Sequence, residues 1–320
     1  LILRPSDVEE AVSLLGEGAR ARAGNTGAAS ALAAGADVVD LTGVAGLRGV
    51  RPGPEGSVQV GAATTVAELA QAPGLARSHP ALVRTAAALA TPEVRESATV
   101  GGNLLQRNRC AYLRDPAFSC LQDGGRGCPA RSGDHPRGVV VDSGGCVEPH
   151  PSSLAVALLA QEATVEVASP GGRRSVDAGE LYASGEGAGD HVLGPDEVVV
   201  SVHLPGPAAG ERVGHLRAAA RSRAEWPLVE AVVRLGVSGG VVGHARVAVG
   251  AVARVPLRLP QVEQALVGAR PGQALDERAE RALEGVRSWC APLPQTGYKV
   301  ALLGATVRGA LEEALADPGR

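Results

Sequence analysis

The sequence predicts a mixed α/β or α+β protein of more than one domain. Three observations carry this expectation. In the first hundred residues apolar strands and amphipathic helices alternate across glycine turns. Periodicity then disappears between about residues 105 and 150, a stretch that holds Cys110, Cys120, Cys128 and Cys146. Beyond Pro205-Gly206-Pro207 the pattern becomes a hairpin followed by helices, as in a small antiparallel sheet packed by helices.

Each element has a local reason. Ser6-Asp7-Val8-Glu9 reads as a capping box opening an amphipathic helix through Leu15. A short strand over 19–23 runs into Gly24-Asn25-Thr26-Gly27, with a helix over about 28–34 and an apolar strand over 37–41 after it. Residues 58–62 read as a strand, Thr65 caps a helix through Ala70, and 81–90 is another helix. Residues 152–161 resume as a helix, 163–168 and 196–204 as strands, and 205–207 is the domain boundary. Beyond it the sequence predicts an element at 213–220, a helix near 227–234 and a strand pair around Ser238-Gly239-Gly240. A strand over 245–252 and helices over 260–267, 275–286 and 297–315 complete the chain.

Composition excludes several classes of function. A net charge of −3 gives no electrostatic case for nucleic acid or an anionic membrane. No run of 18 apolar residues exists, so no transmembrane helix and no membrane insertion are expected. Residues 1–15 carry Arg4, Asp7, Glu9 and Glu10 and lack the apolar run of a signal peptide. Five cysteines without such a signal point to reduced thiols and a cytoplasmic protein. Lys299 is the only lysine, which reads as genomic base composition. With only six aromatic residues, the core must be built from Val, Leu and Ala.

Two glycine loops are candidate phosphate sites. In Ala23-Gly24-Asn25-Thr26-Gly27, Gly and Asn tolerate φ > 0 and expose successive N–H donors. In Thr99-Val100-Gly101-Gly102-Asn103, adjacent glycines permit close approach of a ligand, and Thr and Asn add side-chain hydrogen bonds. Either segment also suits an ordinary turn, and neither is a G-x-G-x-x-G fingerprint. The cysteines are spaced C-x9-C-x7-C-x17-C, which fits neither the usual zinc pairs nor local ferredoxin spacing. Four soft ligands in one polar, aperiodic stretch nevertheless suggest a metal centre, iron–sulfur ahead of zinc. Such a centre would be what orders the loop. Cys290, beside Trp289, reads as a core thiol. His79, beside Pro80, reads as a turn residue, and no histidine forms a catalytic constellation.

Together these residues resemble the FAD-binding medium subunit of the molybdenum hydroxylases, the group of xanthine dehydrogenase, carbon monoxide dehydrogenase and aldehyde oxidoreductase. The resemblance covers nearly the whole chain. Arg22-Ala23-Gly24-Asn25-Thr26 is similar to the family's first flavin pyrophosphate loop, and Val60-Gly61-Ala62-Ala63-Thr64-Thr65 to its Ile-Gly-Ala-x-Thr-Thr segment. Pro92-Glu93-Val94-Arg95 to Gly102-Asn103-Leu104 is similar to its second flavin loop. Gly27 departs from the family's usual Asp, Asn or Glu and removes a side-chain contact.

The resemblance implies an α+β fold. A two-lobed PCMH-type FAD-binding domain would span 1–207. A CO-dehydrogenase-flavoprotein-like domain with a three-stranded antiparallel sheet and helices would span 208–320. It implies FAD held by Ala23, Gly24, Asn25, Thr26, Gly27 and Ala90, by Thr99, Gly101, Gly102, Asn103 and Leu105, and by Asp115, Val198 and Arg217. Arg217 and Trp226 would stand near the flavin ring. The run from Asn103 through Cys110, with Cys120, Cys128 and Cys146, resembles a subgroup whose flavoprotein binds a [4Fe–4S] cluster, implying four ligands at these positions. The implied partners are a molybdopterin-binding large subunit and a [2Fe–2S] small subunit, with electrons passing through FAD to an external acceptor. No catalytic residue is expected in this chain. A stand-alone FAD oxidoreductase and a zinc-stapled assembly subunit are the alternative readings.

Overall fold

The computed structural model describes residues 1–27, 35–182 and 189–316. It comprises two compact units. The first is Leu1–Gln106 with Glu162–Leu181 and His191–Pro207; the second is Arg107–Gln161 with Tyr182–Asp190 and Ala208–Arg320. Among the described residues no helix is long and apolar enough to cross a membrane.

The first unit opens with β1 (Ile2–Leu3), α1 (Val8–Gly16), β2 (Arg20–Arg22) and β3 (Val38–Asp40). The three strands form a parallel sheet in the order β1-β3-β2. Helix α1 buries Val8, Ala11, Val12 and Leu15, one face at helical spacing. Its capping residue is Asp7, not Ser6: Asp7 accepts from Glu10 N at 2.9 Å, while Glu10 reaches back to Ser6 N at 2.7 Å. The helix expected over 28–34 lies outside the described residues.

A second, antiparallel sheet of this unit contains β4 (Val50–Pro52), β5 (Val58–Gly61), β6 (Thr164–Ser169), β7 (Gly172–Asp177) and β8 (Val198–Leu204), in the order β4-β5-β8-β6-β7. Sequence reading missed β4 and β7. Both are edge strands, one ending in Pro52 and the other exposing Arg173 and Arg174, so neither alternates apolar with polar residues. Five short helices follow β5: α2 (Val66–Gln71), α3 (Leu75–Ser78), α4 (Pro80–Ala88), α5 (Pro92–Ser97) and α6 (Val100–Leu104). Thr65 caps α2 in a full capping box with Glu68. His79 does stand in the turn between α3 and α4. It is fully buried at the start of α4, with Nε2 2.9 Å from Pro205 O.

The second unit contains α7 (Ala111–Arg114), α8 (Ser153–Ala160), β9 (Glu211–Ala218), β10 (Val229–Ser238), β11 (Val241–Gly250), β12 (Leu257–Arg258), α9 (Pro260–Leu266), α10 (Gln273–Ser288) and α11 (Tyr298–Ala316). The helix expected near 227–234 is instead part of strand β10. Residues 229–236 are all buried, so the segment carries no period-two signal, and β-branched Val229, Val232 and Val233 decide for the strand. The sheet has four strands, not three, in the order β12-β11-β10-β9. The extra strand β12 has two residues, too few to show a pattern. Valines of β10 and β11 pack with Leu266, Leu283, Leu303 and Leu311 of α9 to α11 in one core. Gly214 on β9 lets α11 approach this closely, since a Cβ there would collide with Ala310 O.

Candidate functional site

The first glycine loop leaves β2 and turns through Asn25, whose φ is 59°. Gly24 lies directly against the backbone at the end of α5: a Cβ at this position would overlap Ser97 O and approach Ala98 Cα to 3.0 Å. The next residue after Ala98, Thr99, begins the second loop, so the fold makes the two loops neighbours within one unit. Among the described residues nothing accepts a hydrogen bond from the N–H groups of Asn25, Thr26 and Gly27. Donors gathered in a turn of this kind suit an anion such as a pyrophosphate.

The second loop differs from its sequence reading. Residues 100–104 form helix α6, capped by Thr99 Oγ1, which accepts from Gly102 N at 3.1 Å. Val100 N donates to Thr64 O at 2.9 Å, and Gly101 N to Ala62 O at 2.8 Å. Three successive amides are therefore committed within the protein. What this segment leaves bare is the backbone surface of exposed Gly102, where a Cβ would meet only Thr99 Oγ1, at 2.9 Å.

Other sequence candidates in this unit have distinct settings. Ala90 has φ 43°, and Arg95 Nη1 holds its carbonyl at 3.0 Å. Leu105 caps the C-terminus of α6. Val198 packs in the core with Val8, Ala11 and Val39. In the second unit, Asp115 ends α7 and accepts from Ala117 N at 2.9 Å. Arg217 donates to Arg223 O and Glu225 O, each at 2.9 Å, and stands 3.5 Å from Glu230. Burial would raise the Glu230 pKa, but His215 at 2.8 Å and the Arg217 charge hold it below the usual carboxylate range. Arg109 lies over the ring of half-exposed Trp226, 5.0 Å from its centroid.

The four window cysteines are free thiols in the second unit. Cys110, Cys120 and Cys128 each immediately precede a helical turn: α7, residues 121–123 and residues 129–131. Cys110 and Cys128 share an apolar cluster with Ala130, Val139 and Val147. Cys120 lies within electrostatic range of Cys110, and Cys146 lies close to Cys128. Burial pushes the Cys110 thiol up, while the N–H groups of Leu113 and Tyr112 favour its thiolate. The neighbouring Cys146 pushes the Cys128 thiol down, aided by the N–H groups of Val147, Ala130 and Arg131 and opposed by burial. The neighbouring Cys128 and burial push the Cys146 thiol up, against the Arg254 charge. The interactions among the sulfurs run in two pairs, Cys110 with Cys120 and Cys128 with Cys146. Among the described residues no three His, Cys, Asp or Glu side chains form a group able to hold a single metal ion. Cys290 packs on the separate core of the sheet, with Sγ 3.5 Å from Val286 O.

The loop also has protein anchors that sequence reading missed. Arg131 grips Asp142 through two bonds of 2.9 and 2.7 Å and donates to Gly145 O at 2.7 Å. Fully buried Lys299 donates to Arg137 O and Gly138 O at 2.9 Å and to Ala251 O at 2.6 Å. Being the single lysine of an arginine-rich chain was the one available signal.

A family model described as the FAD binding domain in molybdopterin dehydrogenase matches residues 2–207. Another, the CO dehydrogenase flavoprotein C-terminal domain, matches residues 214–314. The chain is 30% identical over 286 residues to the aldehyde oxidoreductase FAD-binding subunit PaoB of Escherichia coli (strain K12), covering 88% of this chain and 85% of the relative. It is 27% identical over 325 residues to the carbon monoxide dehydrogenase medium chain of Hydrogenophaga pseudoflava, covering 98% and 96%. A solved chain of carbon monoxide dehydrogenase from Hydrogenophaga pseudoflava superposes with a TM-score of 0.74 at 25% identity over 98% of this chain and 96% of its own. Quinoline 2-oxidoreductase from Pseudomonas putida 86 shares the fold, with a TM-score of 0.76 at 22% identity over 100% and 98%. Adjacent glycine loops in the first unit and matches along both parts of the chain lead to one conclusion: the chain belongs to the family of FAD-binding domains of molybdopterin dehydrogenases, with the C-terminal domain of the CO dehydrogenase flavoproteins.

Proposed function

We propose that the chain is the FAD-binding electron-transfer subunit of a cytoplasmic three-chain molybdenum hydroxylase, with domains at 1–207 and 208–320. Its partners would be a molybdopterin-binding large subunit and a [2Fe–2S] small subunit. The observation that carries the flavin reading is the packing of Gly24 against Ser97, which sets the two loops side by side. Electron exchange with an external acceptor is the chemistry that bound FAD supplies. The chain's own part is to bind and orient. The amides from Ala23 to Gly27 take the pyrophosphate. Asn103 adds a side-chain contact, Gly102 leaves the surface bare, Gly101 lets the turn pack on Ala62, and Thr99 holds that turn. Ala90, Leu105, Asp115, Val198 and Arg217 complete the proposed binding set. No side chain has to move a proton at a substrate, in keeping with a substrate site on the large partner.

Gly102→Val tests the flavin site at a smaller cost to the fold than a change at Gly24, because its Cβ meets only the Thr99 hydroxyl, at 2.9 Å, and no backbone. The variant is expected to fold, yet retain less than a tenth of the flavin per chain after desalting. Unchanged flavin content would remove this loop from the site.

The same proposal assigns a [4Fe–4S] cluster to Cys110, Cys120, Cys128 and Cys146. Supporting it are the three cysteines that each lead into a helical turn and the burial of Cys110, Cys120 and Cys146. About four iron and four sulfide per chain are expected in anaerobically purified complex. Cys120→Ser or Cys128→Ser should bleach the cluster absorbance, whereas Cys290→Ser should leave it intact. Zinc in place of iron would sink this assignment.

A further inference from the structure

We propose that the second unit holds a binding site for a short-chain carboxylate, in the cavity between the start of α8 and Trp226. The cavity has a volume of about 90 Å³, room for about three waters or one molecule of that combined size. Its wall includes no residue of the first unit and none of the window cysteines.

A buried helix start with unused donors points to a ligand. Ser152 Oγ accepts from Ala155 N at 3.0 Å and so satisfies the third amide of α8. Among the described residues nothing accepts from the amides of Ser153 and Leu154, although these residues are 2% and 0% exposed. The Ser153 hydroxyl, on the cavity wall, lies near Glu230 yet makes no hydrogen bond of good geometry. Buried donors without acceptors are rare, because each forfeits the hydrogen bond that water gave it. An anion set against the start of α8 satisfies them and meets the positive end of the helix dipole.

The side chains around this helix start narrow the class of ligand. Arg109, on the same wall, lies across the ring of Trp226, and its planar fork matches a carboxylate. The two acidic side chains of the wall are answered by other cations. Glu230 meets His215 at 2.8 Å and Arg217 at 3.5 Å, while Lys299, Arg137 and Arg254 act on Glu148. Pro149, Pro151, Pro227 and Val156 supply stiff apolar surface. The backbone on the far side is also fixed. Gly250 packs on Val156, where a Cβ would collide with Cγ2, and Ala251 holds φ 61° with its carbonyl bonded to Lys299 Nζ at 2.6 Å. A preformed, largely apolar cavity with a few convergent donors is how small-molecule sites are built. Its small volume and apolar walls favour one charge over two, since a second charge costs further desolvation.

The test is a fluorescence titration of the full chain with acetate at constant ionic strength. A Trp289→Phe background leaves Trp226 as the only tryptophan. Acetate should change its emission saturably, in the millimolar range and equally with or without added FAD. Acetamide, of the same shape without the charge, should not. Arg109→Gln should weaken acetate binding about tenfold, the loss of a charge-assisted bond. Ser153→Pro should do the same by removing an amide, and proline suits the first position of a helix. Should Arg109→Gln fail to fold, Ser153→Pro decides alone. An unsaturable response, an equal response to acetamide, or unchanged affinity in the folded variants would overturn the site. Sulfate binding as tightly as acetate would overturn the carboxylate class. Loss of acetate binding on adding FAD would make the cavity part of the flavin site and overturn its separate role.

Discussion

Gly24→Ala is expected to strip FAD from the chain and to destabilise the first unit by about 3 kcal/mol, the upper end of ordinary overpacking costs. The first carbon of any side chain here overlaps the Ser97 carbonyl, and the next contacts are also backbone: Ser97 C and Ala98 Cα. Backbone held between a helix end and a capped turn cannot swing aside as a side-chain tip would. Ala98 is itself tied to α2 by Val66 N at 2.8 Å, and Thr99 is bridged to Thr65. The loop must move, carrying the amides of Asn25, Thr26 and Gly27 away from their place beside the second loop. Alanine and valine should therefore behave alike, because the collision occurs at Cβ. Gly102→Val should differ by losing flavin with a smaller drop in its unfolding midpoint, since its Cβ meets only the Thr99 hydroxyl. The readouts are flavin absorbance per chain and urea unfolding. A Gly24→Ala chain with full flavin and an unchanged midpoint would refute the adjacency of the loops.

How much of this was legible beforehand depended on whether an element's signal was local. The Thr65 box, the Ser238-Gly239-Gly240 hairpin and the C-terminal helices are fixed by caps, glycines with φ > 0 and helical spacing. Strand β10 was misread because burial along eight consecutive positions erases the period that separates strand from helix. Edge strands β4 and β7 were missed because they have little to bury. The resemblance located the glycine loops and the cysteines in sequence. It did not reveal that the amides of Val100, Gly101 and Gly102 are already spent on Thr64, Ala62 and Thr99. Nor could spacing reveal the stacking of Arg109 on Trp226, which are far apart in sequence and meet only through the fold.

The expectation that a metal centre alone orders the cysteine window is where Lys299 matters most. Lys299→Met is expected to destabilise the second unit by about 3 kcal/mol and to open residues 137–138 to protease even with the cluster in place. Three carbonyls lose their donor, each bond to a charged group contributing about 1.5–3 kcal/mol. Buried Glu148 also loses a nearby cation. Against this, the variant is relieved of a buried charge, a real cost, since burial pushes Lys299 down to about 8 from 10.5. The bonds outweigh that relief, and the two effects separate with pH. Between about pH 8 and 10.5 the unfolded chain holds more protons on this amine than the folded one, so wild-type stability rises through that window. The methionine variant should lack the rise. Lys299→Arg should not rescue, because a planar fork cannot aim at carbonyls of residues 137, 138 and 251 from one enclosed point as a compact ammonium does. In a chain whose other basic residues are all arginine, that requirement accounts for the one lysine. An arginine variant as stable as wild type, with the same pH profile, would return Lys299 to an accident of composition.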